Sequence, residues 1–189
     1  MRRLEDRWGQ TKSHPLFRPG HFSLLPGVIR GGPHGVDVPF FIPDYCNVDY
    51  CIWHHPHESA EQVQQEVETY LQKACSLDDW LREHPPQLTW RVHWPSYEID
   101  VQHPLCQSVA RAHELAAEGT RFQGPAQFAS FYAVSDAAFI TRQGIPTVMY
   151  GPGSLLVAHA PDEYVEIEEL MVATKTFALM TMDWCGVSN

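Results

Sequence analysis

His159 is the residue best placed to do chemistry. It stands between two alanines, follows the loop Gly151-Pro152-Gly153, and leads into Pro161, Asp162 and Glu163. An imidazole in such a loop serves as a metal ligand or general base; the same position also suits a capped or surface histidine. A catalytic zinc takes about three protein ligands and a structural one about four, and the neighbours of His159 in sequence make no full set. A second group, His54, His55 and His57, has the right residue types for metal binding but not the spacing. On a strand His54 and His55 point to opposite faces, and Pro56 interrupts the run. Structural or surface roles are expected there, with adventitious metal binding as the alternative. Hydroxyl nucleophiles fare worse, because neither Ser135 nor Ser154 sits in a Gly-x-Ser-x-Gly elbow. Gly151-Pro152-Gly153 allows backbone to approach a ligand or anion, a weak signal by itself. Trp53, Trp90 and Trp94 suit a core or interface better than a cofactor box. No catalytic residue is assigned.

The elements around His159 would have to hold it. Ser135 is a cap for a helix with Asp136 in its first turn, and Gly144 ends that helix in a left-handed conformation. Ile145 to Tyr150 is a short apolar run expected to form a strand, with Pro146 tolerated near its start. A strand that feeds a Gly-rich loop at its carboxyl end is where open α/β sheets bind ligands. Upstream, Pro104 opens a helix carrying Leu105, Val109, Ala112 and Ala116 and closed by Gly119, and Phe128 to Val134 is another strand candidate. Downstream, Glu166 to Trp184 is a helix expected to bury Ile167, Leu170, Met171, Thr174, Phe177 and Ala178 and to stop at Gly186. Helix, strand, helix, strand, loop and helix make an α/β arrangement.

The earlier half has a different rhythm. Leu4 and Trp8 lie on one helix face, with Gly9 expected to stop it. Gly27 to Arg30 and Ile42 to Trp53 are strand candidates, and so is Leu88 to Trp94 after the Pro85-Pro86 break. Ser59 and Gln62 form a capping box for a helix through Ala74, with Val63, Val67, Tyr70 and Leu71 on its apolar face. The irregular stretch from Pro95 to His103 is expected to join two domains, residues 1–102 and 103–189.

Composition limits the possibilities. The 189 residues are 44% hydrophobic and 19% charged, with a net charge of −10, so a nucleic-acid footprint is not expected. No apolar run reaches membrane-spanning length. The five cysteines include no Cys-x-x-Cys pair and are expected to be reduced, mostly buried thiols of a cytoplasmic protein.

SDAAFITRQGIPTVMYGPG and AHAPDEYVEIEELMVATKTFA together resemble the end of the acetylornithine deacetylase / succinyl-diaminopimelate desuccinylase / glutamate carboxypeptidase family of di-zinc amidohydrolases. GVIRGG, the Pro43-to-Cys46 segment and the Pro56-to-Ser59 helix entry resemble that family's inserted lid, or dimerisation domain. The likeness runs from about Leu4 to Gly186. It implies an incomplete α+β lid, a two-layer sandwich lacking its first strand, followed by a partial α/β zinc-hydrolase domain. It also implies that His159 is the last zinc ligand, that Ser135, Gly151 and Gly153 line the substrate pocket, and that Glu163 orients the His159 loop. In such enzymes two zinc ions polarise an amide carbonyl and activate water, and a glutamate moves the proton.

The family's His-x-Asp pair, bridging Asp, Glu-Glu pair and next acidic ligand all precede the lid, and none lies in this sequence. At the strand end where relatives often have a basic pair, this chain has Ile52-Trp53. The expectation is therefore the distal half of a metal-dependent deacylase for an N-acyl or N-formyl amide, inactive as this chain alone. Its partner would be a second copy, joined through the lid sheet, or a companion chain carrying the remaining ligands. The alternative is a non-catalytic truncated protein acting as a dimerisation or interaction module.

Overall fold

The computed structural model describes residues 1–35, 38 and 40–187. Its contacts fall into two compact units, Met1–Ser96 and Tyr97–Asn189.

In the first unit the elements are α1 (Arg2–Thr11), β1 (Ser23–Gly32), β2 (Tyr45–Trp53), α2 (Ala60–Cys75) and α3 (Asp79–Glu83). Leu4 and Trp8 bury one face of α1, and α1 runs through Gly9 to Thr11 instead of stopping there. Gly9 has open space around it, so the one-residue cost of glycine in a helix is outweighed by the burial on either side. Helix α2 carries the full capping box, with the Ser59 hydroxyl accepting from Gln62 N–H and the Gln62 side chain accepting from Ser59 N–H. Val63 and Val67 meet Leu4, Trp8, Phe22 and Leu24 in one core, with Ile52, Tyr70 and Leu71 packed around it.

Helices α1 and α2 are also clamped by charge. Glu66 accepts from Arg7, from the Trp8 indole N–H at 2.9 Å and from Lys12, while Lys12 reaches Glu58 at 2.6 Å and lies over the Trp8 ring. Partial burial pushes the Glu66 carboxyl up, but the hydrogen bonds from Trp8, Lys12 and Arg7 and the Lys12 charge outweigh it and hold its pKa below 4.5.

Strands β1 and β2 form an antiparallel ribbon, Ser23 opposite Trp53 and Gly32 opposite Tyr45, with a bulge at Gly27 between Pro26 and Val28. A proline fits within β1 because the ladder is already broken at that bulge. Only the end at Ser23 and Leu24 is buried; beyond it both faces of the ribbon are open, and Ile29 is 68% exposed.

In the second unit the elements are α4 (Pro104–Ala116), α5 (Ala137–Arg142) and α6 (Ile167–Cys185). Pro104 takes the first position of α4, and the His103 ring accepts the Leu105 N–H. Gly119, Gly144 and Gly186 all have positive φ just beyond helix ends, as their placement in the sequence requires.

Helix α6 corrects an expectation. Its buried residues are Val172, Ala173 and Thr176; Leu170, Met171 and Phe177 are exposed, and Ile167 is 80% exposed. The helix is apolar on nearly every side, so periodicity alone does not choose a face. The choice is made by α4, whose Ala116, continued by Ala117, packs closely on Val172. Ser108 and Arg111 on α4 then both hydrogen-bond Asp183 near the end of α6.

Residues 88–94, 128–134 and 145–150 form no strand, contrary to the sequence expectation. A strand needs a neighbour to receive its N–H and C=O groups, and among the described residues the only ladder is β1 with β2. The segments keep their apolar side chains, several exposed, including Val92, Val134 and Ile145. Cysteine burial differs as well: Cys75 and Cys106 are buried, but Cys46, Cys51 and Cys185 are exposed.

Candidate functional site

A cavity of about 830 Å³ opens in the second unit. One wall is a stripe of α4, Cys106, Val109, Ala110 and His113, at the i, i+3, i+4, i+7 spacing of one helix face. Facing it are Phe128, Phe131, Val148 to Leu155, and Glu163 to Val165. Burial, reinforced by the Asp100 charge, pushes the Cys106 thiol up, so it stays protonated and acts as an apolar group.

The residues singled out from sequence divide here. Gly151, Gly153 and Glu163 line the cavity. Gly153 has φ +98°, and nothing lies within 4 Å of where a Cβ would be at either glycine, so loop backbone is open to the cavity. Ser135 is not a lining residue. Its hydroxyl contacts the sulfur of Met149, which does line the cavity, and accepts the Ala137 N–H at the start of α5. Asp136 takes the N-cap position without a side-chain bond, so Ser135 caps from one residue further back.

His159 is exposed and lies outside the lining. Its φ is +63°, the one non-glycine positive φ among the described residues. That conformation costs about 1–2 kcal/mol for a residue with a Cβ. A Glu163 carboxylate oxygen accepts the His159 backbone N–H at 3.0 Å and holds the loop in it. His159 and Glu163 are thus two metal-competent side chains in one turn, fewer than the three or four protein ligands of a zinc site.

His54, His55 and His57 lie past the end of β2, so strand alternation does not govern them. The His54 ring bonds the His55 carbonyl; the His55 ring accepts the His57 N–H and also bonds the Ser13 carbonyl. The entry to α2 is fixed by these bonds and by Glu58 accepting the His55 N–H.

Sequence reasoning missed a hydrogen-bond chain beside the cavity. His113 Nδ1 meets the Tyr150 hydroxyl at 2.8 Å, Tyr150 donates to Thr176 Oγ1 at 3.0 Å, and Thr176 donates to the Val172 carbonyl at 2.9 Å. Burial pushes the Tyr150 phenol up, partly offset by its bond to Thr176, so the phenol keeps its proton. The available signal was the α4 stripe, because His113 lies seven residues after Cys106 and four after Val109.

Comparison with known proteins adds a lineage to this geometry. The family model described as peptidase family M20/M25/M40 matches residues 22–183. The chain is 35% identical over 195 residues to an N-formyl-4-amino-5-aminomethyl-2-methylpyrimidine deformylase of Halalkalibacterium halodurans, covering 98% of this chain and 43% of that protein. It is 32% identical over 192 residues to the deformylase of the same name from Bacillus subtilis, covering 97% and 43%. An acetylornithine deacetylase of Vibrio cholerae serotype O1 is 24% identical over 192 residues, covering 98% and 44%. The chain therefore spans less than half the length of these relatives.

Proposed function

Because the chain belongs to peptidase family M20/M25/M40, we propose that it forms the distal part of a metal-dependent amidohydrolase that removes a formyl group from an aminopyrimidine. The observation that carries this reading is the 35% identity to a deformylase across 98% of the chain, against 24% to a deacetylase over a similar span. The cavity supports it, since Phe128, Phe131 and Tyr164 among its lining residues offer aromatic rings on which a planar heterocycle can stack.

The metal, in this reading zinc, would polarise the amide carbonyl and supply activated water. His159 is the ligand this chain would offer. With Glu163 committed to the His159 N–H, the turn does not by itself satisfy a zinc ion. The chain's own contribution is to shape the pocket: the Gly151–Gly153 backbone forms its rim, and Glu163 holds the His159 turn against it. Completion by a further protein segment is part of the proposal, and the chain alone is inactive. The purified chain, loaded with zinc, is expected to hydrolyse N-formylaminopyrimidine at no more than the buffer rate and to hold well under two zinc ions per chain. Two tightly bound zincs, or turnover by the chain alone, would overturn the incompleteness claim. A complete enzyme containing this sequence that cleaves N-acetylornithine but not the formylpyrimidine would overturn the substrate class.

A second reading, a dimerisation or interaction module, is favoured by the β1–β2 ribbon. Its edges carry ladder groups without a strand neighbour among the described residues, and Leu25, Val28 and Ile29 are exposed on it. Sedimentation is expected to show a dimer or a larger species; a monomer at high concentration removes this reading. No helix among the described residues is long and apolar enough to cross a membrane. The five cysteines, none in a disulfide, support a cytoplasmic setting.

A further inference from the structure

The direction of protons along the chain beside the cavity is set by simple accounting of donors. Thr176 has one hydroxyl proton, and its Oγ1 donates to the buried Val172 carbonyl at 2.9 Å, a back-bond along α6. Toward Tyr150 it can then only accept, and Tyr150 Oη donates to it at 3.0 Å. The Tyr150 oxygen is left as the acceptor for His113 Nδ1 at 2.8 Å, so the proton between them sits on Nδ1. In a neutral imidazole this makes Nε2 the nitrogen with the lone pair. The ring shares the cavity wall with other polar side chains, among them Gln127, Ser154 and Glu163, and with the aromatic rings of Phe128, Phe131 and Tyr164.

We propose that His113 is a ligand-binding residue whose Nε2 accepts a hydrogen bond from an amino group on a planar ring held in the cavity, and that Thr176, acting through Tyr150, is the positioning residue that fixes this tautomer. The ring class rests on the aminopyrimidine reading above; the tautomer does not. An acceptor Nε2 discriminates by donor: a ring bearing an amino group satisfies it, and the same ring without one leaves a half-buried lone pair unmet.

Nitrogen NMR of the histidine rings in the full chain tests both halves. Without ligand, His113 is expected to carry its proton on Nδ1; a proton on Nε2 overturns the relay. Thr176→Val is expected to raise the Nε2–H share and Thr176→Ser to restore the wild-type pattern; no change in Thr176→Val overturns the positioning role. Should Thr176→Val fail to fold, Tyr150→Phe makes the same test by removing the acceptor for Nδ1–H. Titration with 4-aminopyrimidine is expected to shift Nε2 of His113, and unsubstituted pyrimidine to leave it unmoved. Thr176→Val is expected to weaken 4-aminopyrimidine roughly tenfold, one hydrogen bond's worth. If 4-aminopyrimidine shifts the Gly151 and Gly153 amides but not His113, the role of His113 is wrong and the aminopyrimidine site stands. If it shifts neither, the ring class fails, and the ligand half of this proposal fails with it.

Discussion

Glu66 gives the most direct test of how the first unit is held together. Trp8 is fully buried, and its indole N–H donates to Glu66 at 2.9 Å. Truncating Glu66 to alanine leaves that donor unpaired in the core, which costs about 1–3 kcal/mol. Lys12, with its side chain 10% exposed, keeps Glu58 as a partner, so loss of its second carboxylate adds roughly 1 kcal/mol or less. Arg7 is about half exposed and its pair adds little. Glu66→Ala is therefore expected to destabilise by about 3 kcal/mol. At a urea dependence on the order of 1 kcal/mol per molar for a unit of this size, the midpoint falls by roughly 2–3 M. Glu66→Gln keeps an acceptor for the indole and is expected to cost about 1 kcal/mol. Urea denaturation followed by circular dichroism measures both. If the two variants lose the same stability to within about 0.5 kcal/mol, the buried indole is not what makes Glu66 important. A Trp8→Phe background is expected to remove most of the difference between them, since no donor is left to strand.

The same carboxylate gives a pH dependence. Its folded pKa lies below 4.5, so its contribution is present above that pH and is lost as pH falls through the lower folded value; Glu66→Gln is expected to flatten the acid limb of the stability profile. Ser59→Ala removes half of the α2 capping box and is expected to cost about 1 kcal/mol, read as a lower melting temperature of the first unit. His159→Gly relieves the positive φ and is expected to raise stability by about 1 kcal/mol, whereas His159→Val lowers it; stabilisation by valine would refute the backbone geometry at this turn.

Legibility of the sequence followed how local each signal was. The α2 capping box, Pro104 at the start of α4, and Gly144 and Gly186 past helix ends depend on residues a few positions apart, and the structure has each of them. The buried side of α6 was not legible, because an almost uniformly apolar helix leaves the choice to its partner, and α4 selects the small residues Val172, Ala173 and Thr176. The three missing strands failed for a related reason: apolar, β-branched runs state a preference, and a ladder also needs a neighbour that periodicity cannot supply. At the site, the glycine loop and Glu163 were visible as a cluster in sequence. His113, Tyr150 and Thr176 were not, since the hydrogen bonds that join them span 37 and 26 residues.

The α1–α2 clamp also sets the order in which the first unit can form during synthesis. Helix α1 buries Leu4 and Trp8 in a core that α2 completes with Val63 and Val67. Its buried indole is satisfied by a residue 58 positions later. Until Glu66 has cleared the ribosome, Leu4 and Trp8 lack the helix that covers them and remain open to chaperones or to another nascent chain. A ribosome stall between α1 and α2 would release a product with α1 unprotected, and a stall just after α2 would release one with that helix closed.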